Sequence, residues 1–254
     1  MSLLQANGIS KHFGGVAALR GASLSVLPGT ITGLIGPNGA GKTTLFNILS
    51  GTLQPDEGQV AFDGVDISGW PAERISRAGL TRTFQIARGF PSLTVLESLI
   101  LYAPDQAGDD ILTALFNPGR CRAQDRRIAE RAAEVAAKLR LTAVLDNRTD
   151  ALSGGQKKLL EIGRALMAEP KLILLDEPVA GVNPTLSREI AEILAGLRDE
   201  GYTFLVVEHD MDTVARLCDP VVVMAEGTDL ASGSFSEVTA DRTVQDAYLG
   251  HVPT

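Results

Sequence analysis

Two strings in this sequence carry phosphate chemistry. Leu152-Ser153-Gly154-Gly155-Gln156 places a Ser-Gly-Gly turn at the opening of a helical run, and Gly36-Pro37-Asn38-Gly39-Ala40-Gly41-Lys42-Thr43 lies far upstream. The upstream string matches G-x-x-x-x-G-K-[ST]. It follows the short apolar run Thr32–Ile35 and precedes a run from Lys42 to Leu49 that fits a helix ended by Gly51. Glycines let such a loop turn its N–H groups inward as an anion nest, and the helix that follows adds its positive N-terminal end. In that frame Lys42 reaches the β- and γ-phosphates of a nucleoside triphosphate as a point charge. The Thr43 hydroxyl ligates Mg2+, and Thr44 donates to the α-phosphate. In the other string Ser153 is an apt N-cap, while Gly154 and Gly155 allow close backbone approach to a γ-phosphate.

A third string, Leu172-Ile173-Leu174-Leu175-Asp176-Glu177-Pro178, is an apolar strand ending in two carboxylates. Asp176, at the C-terminal end of its strand, is expected beside the phosphate loop, where ligands lie in open α/β sheets. There it holds Mg2+ through water, since that ion keeps much of its hydration shell. Glu177 is one residue on and points elsewhere, which frees it to orient or deprotonate an attacking water.

The elements that must position these residues read as follows. Residues 3–13 and 22–35 are strands, with Pro28-Gly29 a turn, and residues 58–67 alternate as one strand of an antiparallel sheet. Thr81–Gln85 looks like a further strand end. From about Ser92 to Leu145 the character is helical, with helices at Val95–Leu101 and Ala123–Leu139, the latter showing a solvated face rich in Ala, Arg and Glu. Leu172–Leu175 and Thr203–Val207 are wholly apolar, as central parallel strands covered on both faces are. Pro184–Asp199 is the helix between them, completing a βαβ unit. Val221–Met224 is a last core strand, followed by a turn at Glu226-Gly227 and two short helical pieces.

Composition sets the limits. A chain of 254 residues with 44% hydrophobic content can bury one large α/β core with a smaller lobe. A net charge of −8 argues against a nucleic-acid partner, which would require a Lys/Arg surplus to neutralise phosphates. Cys121 and Cys218 fit no metal or redox spacing, as expected of reduced cytoplasmic thiols. The N-terminus lacks the pattern of a signal peptide, and nowhere do about eighteen apolar residues run uninterrupted, so attachment to a membrane is expected to go through another chain.

Leu152–Gln156, with a helix running to about Met167, resembles the signature of the ATP-binding cassette family, and the other family landmarks fall in order along the whole chain. The resemblance implies a P-loop NTPase (RecA-like) α/β core at about 1–85 and 160–254, with an antiparallel β subdomain and an inserted α-helical subdomain at about 86–159. It implies ATP and Mg2+ as ligands. Phe13 resembles the aromatic that stacks on adenine, with Val16 beside it. Gln85 resembles the glutamine linking Mg2+ and water to the helical lobe, and His209 the switch histidine that contacts the γ-phosphate. Gln156 completes the signature. Asn183 stands where many cassettes have aspartate, a departure that keeps an acceptor and loses a charge. His12 and His251 have no such context and no chemical role is expected of them. By family geometry two cassettes pack head to tail around two ATP molecules, so each signature serves the other chain's nucleotide.

Ala180-Gly181-Val182-Asn183-Pro184 is similar to the ATPase subunits of branched-chain amino-acid importers. So are Thr81–Gln85, Leu93–Glu97, Leu159–Leu166, Glu208–Met211 and Ala247–Gly250. That resemblance implies a second ATPase subunit, membrane permease subunits and, indirectly, a substrate-binding protein, with this chain on the cytoplasmic face of the membrane. Urea and amide importers share these strings. The docking site for the permease is expected near Gln85 and residues 86–97, with Ile86, Phe90, Pro91 and Leu93 supplying contact.

Overall fold

The computed structural model describes residues 1–83, 90–104, 106 and 118–249. Gln85, Ile86 and Gly250 lie outside the described residues. The chain divides into two units, one of Met1–Arg82, Lys171–Ala180 and Ser187–Thr254, the other of Thr83–Pro170 and Gly181–Leu186.

The first unit is built on two sheets. Strands β1 (Leu4–Phe13), β2 (Val16–Val26), β4 (Glu57–Phe62) and β5 (Val65–Asp66) form a four-stranded antiparallel sheet in the order β2-β1-β4-β5. Six strands form the other sheet: β3 (Ile31–Ile35), β6 (Leu80–Arg82), β7 (Leu172–Asp176), β8 (Phe204–Val207), β9 (Val221–Ala225) and β10 (Thr228–Gly233). Their order is β10-β9-β3-β8-β7-β6, parallel throughout except for β10 at the edge. Strands β3, β8 and β9 are buried along their whole length, in keeping with sequences that are apolar apart from Thr32 and Gly33 of β3.

Helix α1 (Lys42–Leu49) joins the sheets. Its Leu45, Phe46 and Leu49 share one buried cluster with Leu4, Ile9 and Leu24 of the antiparallel sheet and with Leu34, Leu172 and Leu205 of the parallel one. This fixes the N-terminus of α1 at the end of β3, where the phosphate loop begins. Helices α2 (Ala72–Arg77), α6 (Pro184–Asp199), α7 (Met211–Leu217), α8 (Phe235–Ala240) and α9 (Arg242–Leu249) complete the set, α6 beginning in the other unit.

The stretch read as one strand over 58–67 is two strands joined at Asp63 (φ 50) and Gly64 (φ 77). Two successive residues with positive φ make the tight hairpin turn for which Asp-Gly is suited. β2 begins at Val16, six residues before its expected start, and β10, α2 and α7 are additional elements.

The second unit contains α3 (Val95–Ile100), α4 (Pro118–Lys138) and α5 (Gly154–Met167). Ile128, Ala132, Val135, Ala136 and Leu139 recur at helical spacing and are buried, while Arg126, Arg127, Glu130 and Glu134 are exposed. The helices approach closely at Gly163, where a Cβ would stand 2.8 Å from both Leu99 and Leu139. Arg164 of α5 ties in α3 by donating from Nε to Ser98 Oγ (2.9 Å) in a buried setting. No described helix is long and apolar enough to cross a membrane.

Candidate nucleotide site

The loop between β3 and α1 owes its shape to three glycines with positive φ, Gly36 (149), Gly39 (82) and Gly41 (99). A Cβ on Gly36 would stand 2.1 Å from the Met224 carbonyl oxygen, and one on Gly41 would stand 2.7 Å from that of Ala18. Two of the glycines are therefore required by the walls behind the loop as well as by its turn. Gly227 secures the same wall, its N–H donating to Ala40 (3.1 Å) and its carbonyl accepting from Arg20 (2.8 Å). The tip, Asn38 and Gly39, is exposed; Pro37 is half-buried and Ala40 buried.

The Lys42 side chain turns back under the loop and donates from Nζ to the carbonyls of Gly36 (2.6 Å) and Pro37 (3.0 Å). Burial lowers its pKa, and the Glu177 carboxylate opposes that shift. Helix α1 has Gly41 as its N-cap, so no side chain caps its first turn. Those N–H groups are the donors that a phosphate takes up, at the positive end of the helix. Thr43 is exposed and Thr44 half-buried. Burial pushes the pKa of the Tyr248 phenol of α9 up to about 12, and the nearby Gly36 backbone opposes that rise.

At the end of β7, Asp176 accepts at Oδ2 from Arg82 Nη2 (2.9 Å), with both side chains nearly buried. The same guanidinium donates from Nη1 to Asn47 Oδ1 (2.6 Å) and Ser50 Oγ (3.3 Å) on α1, above the Phe46 ring. Arg82 therefore holds the acidic strand end against the helix that leaves the phosphate loop. Sequence reasoning missed this role; Arg82 stood out only as a member of the Thr81–Gln85 string.

Glu177 follows with φ 50, left-handed and unusual for a residue with a side chain. Its Oε1 meets His209 Nε2 at 2.9 Å. The structure thus brings the acid and the histidine together at the C-terminal ends of β7 and β8, with Glu177 close enough to influence Lys42. Glu208, also missed from sequence, is buried between them. It accepts from the N–H of Val179 (3.0 Å), His209 (3.0 Å) and Asp210 (3.4 Å).

Phe13 and Val16 close the β1–β2 hairpin as paired residues on either side of Gly14-Gly15. They are 50% and 68% exposed, so neither is a core residue.

In the second unit, Ser153 caps α5 in a reciprocal box. Its Oγ accepts from the Gln156 N–H (3.3 Å), and Gln156 Oε1 accepts from the Ser153 N–H (2.9 Å). The two signature glycines differ. A Cβ on Gly155 would fall 2.0 Å from Leu186 Cδ2, whereas one on Gly154 meets nothing within 4 Å. Asn183 Oδ1 accepts from the Leu186 N–H (2.9 Å), capping α6 just before Pro184. Among the described residues no cluster of three or more His, Cys, Asp or Glu is placed to hold a metal.

Residues 19–180 match the family model described as ABC transporter. The chain is 42% identical to a probable branched-chain amino acid transport ATP-binding protein LivG of Archaeoglobus fulgidus, over 98% of this chain and 96% of that protein. It is 37% identical to the high-affinity branched-chain amino acid transport ATP-binding protein BraF of Pseudomonas aeruginosa, over 98% of each. A crystal structure of a nucleotide-free ATP-binding cassette from an ABC transporter superposes with a TM-score of 0.84 at 38% identity, covering 99% of this chain and 100% of that one. The chain belongs to the ABC transporter family, and its fold is that of the family's ATP-binding cassettes.

Proposed function

We propose that this chain is the ATP-binding, ATP-hydrolysing subunit of an importer for branched-chain amino acids. The observation that carries the reading is the Glu177–His209 pair at the strand ends, within electrostatic reach of Lys42 in a glycine-shaped phosphate loop. The cargo rests on the names of relatives that match the chain over nearly its full length.

The loop N–H groups and Lys42 grip the β- and γ-phosphates, and exposed Phe13 with Val16 offers the adenine an apolar face. Thr43 and Asp176, with Gln85 by the family resemblance, would hold Mg2+. When bound, that ion neutralises charge on the phosphates. Arg82 donates to one Asp176 oxygen, so that an ion held there would be met through the other. Glu177 accepts a proton from the attacking water, and His209 orients Glu177 through their 2.9 Å contact.

Gly154 leaves room for a two-sided grip: among the described residues nothing lies within 4 Å of where its Cβ would stand, so the turn is open to a group from outside. In this reading that is the γ-phosphate held by a second cassette, with Ser153, Gly155 and Gln156 fixing the turn. ATP thus bridges two chains, hydrolysis removes the bridge, and its differential affinity for closed and open pairs drives transport. Asn183 contributes a cap but no charge to that interface. Exposed Phe90 and Pro91, with half-buried Leu93, offer a permease subunit an apolar contact at the cytoplasmic face of the membrane.

The test separates grip from water activation. Lys42→Ala is expected to weaken ATP binding. Glu177→Gln keeps binding, slows turnover and accumulates an ATP-bound dimer visible by size-exclusion chromatography. Normal turnover in purified Glu177→Gln protein would sink the assignment.

A further inference from the structure

We propose that Glu208 is a positioning residue for hydrolysis, one buried carboxylate that holds the Glu177 turn and the His209 turn in register. The inference rests on the reading of Glu177 and His209 given above.

Glu208 is 3% exposed, directly after the apolar strand β8. A carboxylate so placed is costly unless its oxygens are taken up by donors. Here both are used, and by two different turns. Oε1 accepts from Val179, two residues beyond Glu177, and Oε2 accepts from His209 and Asp210. Burial raises the Glu208 pKa and these N–H donors oppose the rise, so the bonds act on the charged form.

The Glu177 turn needs such a clamp. Left-handed backbone at a residue with a side chain is strained and persists only where its surroundings impose it. The Glu177 N–H is fixed to the Val207 carbonyl (2.9 Å), and Pro178 has no N–H to offer. The next available donor is Val179, and Glu208 takes it. The strained residue is therefore held on both sides by consecutive residues of one strand end. Because the same carboxylate also fixes the His209 N–H, the 2.9 Å contact between Glu177 and His209 is set by the backbone and not by the two side chains alone.

Glu208→Gln tests this at constant size, since an amide presents an acceptor to one turn and a donor to the other. Glu208→Asp keeps the charge but is one methylene too short to reach both turns. For each, nucleotide affinity and KM for ATP are expected to stay within about twofold while kcat falls about 10–100-fold, the scale of a displacement near 1 Å in a catalytic group. A merely structural residue would raise KM and lower the melting temperature along with kcat. The decisive measurement is single-turnover hydrolysis in the Glu177→Gln background. There Glu208→Gln is expected to cause no further loss, because the group it positions is already gone. Equal fold-losses in both backgrounds, or wild-type kcat in both Glu208 variants, would overturn the proposal while leaving Glu177 in place. Normal turnover of Glu177→Gln alone would overturn the underlying reading.

Discussion

Arg82 and Asp176 form the interaction whose removal has the most calculable effect. Their side chains are 11% and 13% exposed, with Nη2 and Oδ2 at 2.9 Å. Water therefore screens the pair little. Removing one partner of a buried pair costs about 3–5 kcal/mol, chiefly because the remaining charge is stranded. Arg82→Met strands Asp176 and also takes the charged donor from Asn47 Oδ1 (2.6 Å). The small exposure of Asp176 gives it some water, so the lower end, about 3 kcal/mol, is expected against a total of about 5–15 kcal/mol for a domain. Arg82→Lys keeps a charge but lacks the fork that serves Asp176 and Asn47 together, and is expected to lose about 1.5–3 kcal/mol. The single tryptophan, Trp70, packs on the first unit's core and reports its urea unfolding by fluorescence. In a double-mutant cycle, adding Asp176→Asn to Arg82→Met is expected to restore part of the loss, since the stranded charge is removed. Loss below about 1 kcal/mol in Arg82→Met, or coupling below about 0.5 kcal/mol, would refute the assignment of a tightening pair.

Two further outcomes concern the signature. Ser153→Arg removes the α5 cap, costing about 1 kcal/mol, and places a long cation at the signature turn. Hydrolysis is expected to vanish while the monomer's affinity for a fluorescent ATP analogue stays unchanged; a parallel fall in affinity would sink the two-chain model. Gly154→Ala enters open space at ordinary φ, so stability is expected to hold or rise slightly. Turnover is nevertheless expected to fall about 100-fold, because the methyl group holds the phosphate off the turn. Unchanged turnover would show that Gly154 serves nothing outside its chain.

What the sequence makes legible follows from where the information lies. β3, β7, β8 and β9 are short and dominated by apolar residues, the character of strands covered on both faces. Where Lys42, Asp176 and Glu177 would stand is legible, because Lys42 opens the helix after the glycine loop and the two carboxylates close an apolar strand, each fixed by its own local string. The start of β2 is not, since Val16-Ala17-Ala18-Leu19-Arg20 favours helix by composition and pairing with β1 overrides it. β10 is a half-exposed edge strand with little apolar pattern. The Asp63-Gly64 turn was signalled by its residue types, but the loose alternation around it concealed two strands as one. Arg82 and Glu208 could not be read at all as site residues. Arg82 meets Asp176 across 94 positions, and Glu208 acts on N–H groups, which every residue but proline presents.

Asn183 shows how a local requirement can absorb what looks like a functional departure. Its Oδ1 accepts from the N–H of Leu186, the third residue of α6, and Pro184 fits the first helical position. Aspartate and asparagine serve this cap about equally, so the fold of the turn does not depend on the missing charge. The same Leu186 lies where a Cβ on Gly155 would fall, 2.0 Å from its Cδ2. The capped turn and the opening of the signature helix are thus in direct contact through a residue that a side chain at 155 would displace. Within the second unit the Asn183 side chain thus sets where Leu186 stands, and Leu186 in turn fills the space beside Gly155.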